Sequence, residues 1–118
     1  MILERVMETE LRVGDLHLDR LALRVSVEGK VVPATVLEFR LLEYMARNHG
    51  QVFTRDELLD AVWGRECFVT PRTVDACVRR IRMKLEAGCG RTSLLKTIRG
   101  VGYCMDNGSA APAMPLSA

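Results

Sequence analysis

The sequence has no CxxC pair, no long apolar run and no catalytic signature, and each absence removes a class of protein. The four cysteines, Cys67, Cys77, Cys89 and Cys104, are spaced 10, 12 and 15 residues apart. The two histidines, His17 and His49, stand away from them in sequence. Zinc sites and disulfide frameworks use tighter or paired spacings, so free thiols in a reducing compartment are the simpler reading. No stretch approaches the roughly 20 apolar residues of a membrane span. The start, MILERVMETE, carries charges where a signal peptide would be apolar. A soluble, cytoplasmic chain is expected. GxxxxGK[ST], HExxH and GxSxG are all missing. The carboxylates fall mainly in the first half, at the spacings of solvated faces. No enzyme activity, metal or cofactor is expected. A chain of 118 residues suits one domain, with a core large enough to need no staples.

Positive charge is present, and it is concentrated. Residues 1–69 hold nine Lys or Arg against twelve Asp or Glu, whereas residues 70–105 hold eight against two. Such a split points to a polyanionic partner for one part of the surface. The sharpest concentration is RTVDACVRRIRMKLE, residues 72–86, with four arginines and a lysine.

Short β-type runs are expected at 11–13, 16–19, 21–27 and around 30–32. Gly14-Asp15 and Glu28-Gly29 supply the turns of an antiparallel meander. At Thr35 the period changes. TVLE reads as a capping box, with Thr35 capping the helix and Glu38 reaching back. Leu37, Leu41, Leu42, Met45 and Ala46 follow at helical spacing, and Asn48-His49-Gly50 closes the helix. TRDE repeats the device with Thr54 and Glu57. Leu58, Leu59, Val62 and Trp63 form the second apolar face, and Gly64 ends it. GQVF reads as the short connection between these two helices.

Residues 64–71, bounded by Gly64 and Pro71, read as a loop, with Thr70 a cap and Pro71 a first-turn residue for a third helix. On that helix Val74, Val78, Ile81 and Leu85 form one narrow apolar stripe. Arg72, Ala76, Arg79 and Met83 cluster opposite, with Arg80 and Arg82 on the two flanks and Cys77 at the border. An exposed cationic helix fits the major groove of duplex DNA, where arginine grips guanine with two donors. After Gly88-Cys89-Gly90 a turn region is expected. Strands follow at 94–98 and 103–105, joined by RGVG with Arg99 at the tip, placed to reach a minor groove. Residues 1–10 read as a linker or frayed end. Residues 107–118, small and nearly uncharged, read as a disordered tail.

Three segments together resemble the OmpR/PhoB-type DNA-binding domain of two-component response regulators: TVLEFRLLEYMARNHGQVFTRDELLDAVWG, RTVDACVRRIRMKLE and LKTIRGVGYCM. The likeness spans roughly residues 11–105. It implies an α+β winged helix-turn-helix with an N-terminal meander, three helices and a C-terminal hairpin wing. It further implies a transcription factor that docks a recognition helix in the major groove and a wing in the minor groove. Carried over by position, Arg72, Thr73, Asp75, Arg79, Arg80 and Arg82 fall at recognition-helix contacts. Thr97, Arg99 and Tyr103 fall at wing contacts, and Trp63 at a phosphate contact. The family also implies a chain that is monomeric when free and pairs head to tail on direct-repeat DNA. Its 64–71 loop touches RNA polymerase in some members, and a receiver domain serves the phosphorelay.

Two departures stand out. Cys77 occupies a position where close relatives often carry histidine, and no receiver domain fits in this length. Either the domain is excised from a longer regulator or it is a stand-alone one. A rival reading, from a different class, is a protein-interaction winged helix whose basic face meets an acidic partner.

Overall fold

The computed structural model describes residues 9–64, 68–89 and 94–106. The expected linker (save its last two residues), the tail, the middle of the 64–71 loop and most of the turn before the wing lie outside the described residues. The chain opens with a four-stranded antiparallel meander in the order β1-β2-β3-β4: Glu10–Val13, Leu16–Asp19, Arg24–Val27 and Lys30–Val32. Alternation puts one face inward, and the register sets Leu18 against Val25, Leu16 against Val27 and Val25 against Val32. All of these side chains are buried. The turn into β4 has two consecutive residues at positive φ, Glu28 at 53° and Gly29 at 82°, as a two-residue hairpin turn demands.

The third strand is shorter than the expected 21–27. Asp19 accepts hydrogen bonds from the backbone N–H of Leu21 (3.1 Å) and Ala22 (3.2 Å). This side-chain competition with the ladder turns residues 20–23 out of the sheet and leaves Leu21 exposed.

Helix α1 spans Val36–Arg47 and carries both halves of the Thr35–Glu38 capping box. Its buried face is Glu38, Phe39, Leu41, Leu42, Met45 and Ala46. Leu37, assigned to that face from spacing, instead stands partly exposed in the first turn. The chain leaves α1 through Gly50 at φ 89° and enters an element that the sequence reading treated as connection. Val52–Thr54 is a strand, β5, and pairs antiparallel with the last strand. It also docks α1, since the Phe53 ring lies 5.0 Å from that of Tyr44.

The second helix starts on its own capping box, Thr54 with Glu57. It is α-helical over Arg55–Leu58 (α2) and widens into a π-helical turn over Leu59–Trp63. Gly64, at φ 94°, ends it.

Helix α3 covers Arg72–Cys89 and so continues through Gly88 and Cys89. The carbonyls of Thr70 and Pro71 accept its first backbone bonds. Strands β6 (Leu95–Ile98) and β7 (Gly102–Met105) complete a second sheet in the order β5-β7-β6. The core lies between the two sheets and the three helices, and α3 contributes Val74, Cys77, Val78, Ile81 and Leu85 to it. Cys77, read as a border residue, is fully buried. No helix among the described residues is long and apolar enough to cross a membrane.

Candidate nucleic-acid interface

The apolar stripe of α3 fixes what faces outward. With Val74, Val78, Ile81 and Leu85 buried, Arg72, Ala76, Arg79 and Met83 line an open hollow of about 560 Å³ on the opposite side. Asp75, Arg82, Glu86 and Tyr103 form its remaining walls. Arg72 and Arg79 are exposed, and their side chains make no hydrogen bond or ion pair among the described residues. Ala76 is exposed between them, a small side chain that lets a groove edge approach closely.

Four of the sequence-predicted residues come together in one network that ties α3 to the wing. The Tyr103 hydroxyl donates to Asp75 Oδ1 at 2.7 Å. Asp75 Oδ2 takes Arg55 Nη2, from α2, at 3.0 Å. Arg82 donates through Nε (3.1 Å) and Nη2 (2.8 Å) to the Leu95 carbonyl, and through Nη2 to Thr97 Oγ1 at 2.8 Å. The same guanidinium sits 5.7 Å from the Tyr103 ring centroid, within cation–π range. Burial, the hydrogen bond to Asp75 and the charge of Asp75 together push the Tyr103 phenol up to about 12. It therefore remains a hydrogen-bond donor throughout the usable pH range. In the free protein Asp75, Arg82, Thr97 and Tyr103 thus hold one another in place.

The wing extends from this network. Its turn closes through Val101 N–H to the Ile98 carbonyl at 2.9 Å, with Gly100 at φ 77°. Arg99 stands exposed at the tip with no ion pair among the described residues. Beside it, a second hollow of about 260 Å³ runs from Arg55 along Thr97 and Ile98 to Tyr103.

The other predicted residues sit elsewhere. Arg80 lies on the far flank of α3, where Nε donates to Glu38 Oε2 at 3.1 Å. Thr73 is half-buried, its backbone N–H engaged with the Thr70 carbonyl. Trp63 is half-buried against the core at the end of the π-helical turn.

Two participants escaped the sequence reading. Arg55 reaches Asp75 across 20 positions, and no local spacing signals that pairing. Glu38 was legible only as a cap. In the structure it is also the buried partner of Arg80 and of Lys84, whose Nζ lies 2.6 Å from Oε1. Burial works to raise the Glu38 pKa, but the Lys84 ammonium, the Thr35 N–H and the Arg80 guanidinium outweigh it and hold the carboxyl below its usual value. Among the described residues, no group of three or more His, Cys, Asp or Glu side chains is placed to hold a metal ion.

Residues 29–105 match the family described as "Transcriptional regulatory protein, C terminal". The phosphate regulon transcriptional regulatory protein PhoB of Rhizobium meliloti is 41% identical over 102 residues, which are 86% of this chain and 44% of that protein. The sensory transduction protein RegX3 of Mycobacterium leprae is 40% identical over 97 residues, 82% of this chain and 49% of that one. The chain therefore spans about half the length of the curated relatives it matches. Among solved structures, the OmpR/PhoB homologue DrrB of Thermotoga maritima superposes with a TM-score of 0.73 at 38% identity, covering 89% of this chain and 48% of DrrB. The DNA-binding domain of the response regulator AdeR, solved in complex with an intercistronic region, gives 0.71 at 31% identity, covering 79% of this chain and 95% of that one.

Proposed function

The chain belongs to the family of OmpR/PhoB-type DNA-binding domains of transcriptional regulatory proteins, and from that premise we propose that α3 reads the major groove of duplex DNA while the β6–β7 wing enters the neighbouring minor groove. One observation carries this reading. Of the described cations of residues 70–105, those without a partner among the described residues, Arg72, Arg79 and Arg99, stand on the α3 face and at the wing tip, on two elements already tied together through Asp75, Arg82, Thr97 and Tyr103. Two binding points on one rigid frame suit two successive grooves. Arg72 and Arg79 serve phosphates or guanine edges, and Ala76 gives room for a thymine methyl. Arg99 suits a narrow A/T minor groove, whose negative potential attracts it. Trp63 is assigned to the phosphate backbone and Thr73 to a recognition-helix contact, as their positions in the family imply.

The proposal extends to assembly and partners. Two copies bind head to tail on direct repeats, with the domain working as the output half of a response regulator under a receiver domain. The loop at 64–71 faces RNA polymerase. Its Phe68 is fully exposed and Val69 partly so, an apolar display with no role in holding phosphate. Phe68→Ala should leave DNA affinity unchanged and lower activated transcription in a reconstituted assay.

The deciding experiment incubates the domain with a pool of random duplexes at two salt concentrations, follows binding by fluorescence anisotropy, and sequences the bound fraction. Enrichment of a direct repeat supports the proposal and gives the half-site spacing. Salt-sensitive binding without enrichment reduces the domain to a polyanion binder. Absence of binding favours the rival in which the basic face meets an acidic protein.

A further inference from the structure

The capping box at Thr35 does not explain why Glu38 is wholly buried. The second box uses the same geometry, with Glu57 reaching Thr54 N–H at 2.9 Å, and its glutamate is exposed. In α1 the carboxylate is turned toward α3 and has no solvent exposure. Oε1 accepts from Thr35 N–H at 2.9 Å and from Lys84 Nζ at 2.6 Å, and Oε2 accepts from Arg80 Nε at 3.1 Å. A carboxylate taken out of water is tolerated only when its lone pairs are used in this way. Two cations of the reading helix are consequently held to one fixed point on a different helix.

The consequence differs between the two. Lys84 is committed through its only nitrogen, the ammonium itself. Arg80 is committed through Nε, while its side chain remains 53% exposed. The guanidinium is planar, with its donors in a rigid fork. Fixing Nε restrains that plane and leaves the two terminal amino groups outside the Glu38 contact as a pre-oriented pair. Such a pair makes the two-pronged contact with guanine O6 and N7.

We propose that Glu38 is a positioning residue for DNA reading: its buried carboxylate orients the Arg80 guanidinium so that the terminal amino groups meet a guanine edge already aligned. The inference rests on the DNA-reading function proposed above. It makes a residue of the first turn of α1 a determinant of specificity without any contact to DNA. Ordering a long side chain at an interface is a cost of binding, and a side chain ordered in advance escapes it.

The test uses Glu38→Gln, which keeps the size and the capping capacity of the side chain and removes the charge. Glu38→Asp is its companion, keeping the charge and shortening the reach, in case the first variant does not fold; circular dichroism checks both. Two readouts are taken. In the free protein, the 15N–1H signal of Arg80 Nε should be resolved and slowly exchanging in the parent and averaged in the variants. On DNA, the ratio of affinities for the selected duplex and a random duplex should fall on the order of tenfold, with affinity for the random duplex nearly unchanged. Arg80→Lys should cause the same loss, and the double variant Glu38→Gln/Arg80→Lys no more than either single one.

An unchanged ratio alongside an averaged Arg80 signal would overturn the inference and leave DNA reading intact. Additive losses in the double variant would do the same. A parent that shows the Arg80 signal but does not discriminate between duplexes would overturn the function itself, and the inference with it.

Discussion

Gly102 shows how a single position can constrain the wing. It opens β7 opposite Thr54, and a Cβ built there would stand 1.9 Å from the Phe53 carbonyl oxygen. That oxygen is backbone and cannot rotate away, so Gly102→Ala must push β5 and β7 apart. The expected loss is roughly 1–3 kcal/mol or more, the range of overpacking in a closed site, read from the midpoint of urea unfolding. An unchanged midpoint would mean that β5 is not packed as described. Cys77 makes a second test at this scale. Burial pushes its thiol up to about 11 despite the neighbouring Arg80 guanidinium, and the side chain has no solvent exposure. The thiolate is the reactive form, so at pH 8 the Cys77 peptide should resist alkylation in the native protein. It should label fully in denaturant, as followed by mass spectrometry. Rapid native labelling would contradict its burial on the core face of α3.

At the scale of elements, the junction of α1 with α3 should be sensitive to acid. Glu38 has its pKa depressed in the folded state by Lys84, Thr35 and Arg80 acting against burial. A carboxyl of this kind contributes stability that is present above its unfolded pKa and is lost as pH falls through the folded value. Unfolding free energy should therefore fall as pH is lowered through the carboxylate range, and Glu38→Gln should flatten that slope. A parallel slope in the variant would assign the acid sensitivity to other carboxyls. The start of α1 was legible because a capping box is a local pattern, complete within Thr35 to Glu38, and the α3 stripe was legible because its period is helical. The strand β5 was not, since Val52–Thr54 is too short to alternate and exists because β7, some 50 positions later, pairs with it. The π-helical turn at Leu59–Trp63 has no local signature either. Of the site, the outward arginines followed from phase alone. The partners of Asp75, Arg80 and Arg82 did not, because Arg55, Glu38 and the Leu95 carbonyl reach them only through tertiary packing.

Across the whole molecule, the uneven charge of the sequence becomes a division of surface. Seven of the eight basic groups of residues 70–105 lie on α3 and on the wing, while most carboxylates belong to the meander and the first two helices. Internal pairing then separates the cations by role. Arg80 and Lys84 are held by Glu38, Lys96 by Asp106 and Arg82 by the wing backbone. Arg72, Arg79 and Arg99 remain without partners among the described residues. Each phosphate neutralised releases counterions, so log K should fall linearly with log salt, and each phosphate contact removed should lower the slope by about 0.9. Arg79→Ala and Arg99→Ala should therefore differ in kind. Arg79, at the centre of the α3 face, should weaken specific and random duplexes alike and lower the slope if it holds phosphate. Arg99, at the wing tip, should weaken most those sites with an A/T tract beside the half-site, where the narrow minor groove concentrates negative potential. Titrating both variants against A/T-flanked and G/C-flanked duplexes at several salt concentrations separates the two roles. Equal losses for Arg99→Ala on both flanks would place the wing on the backbone, leaving α3 as the sole reader of sequence.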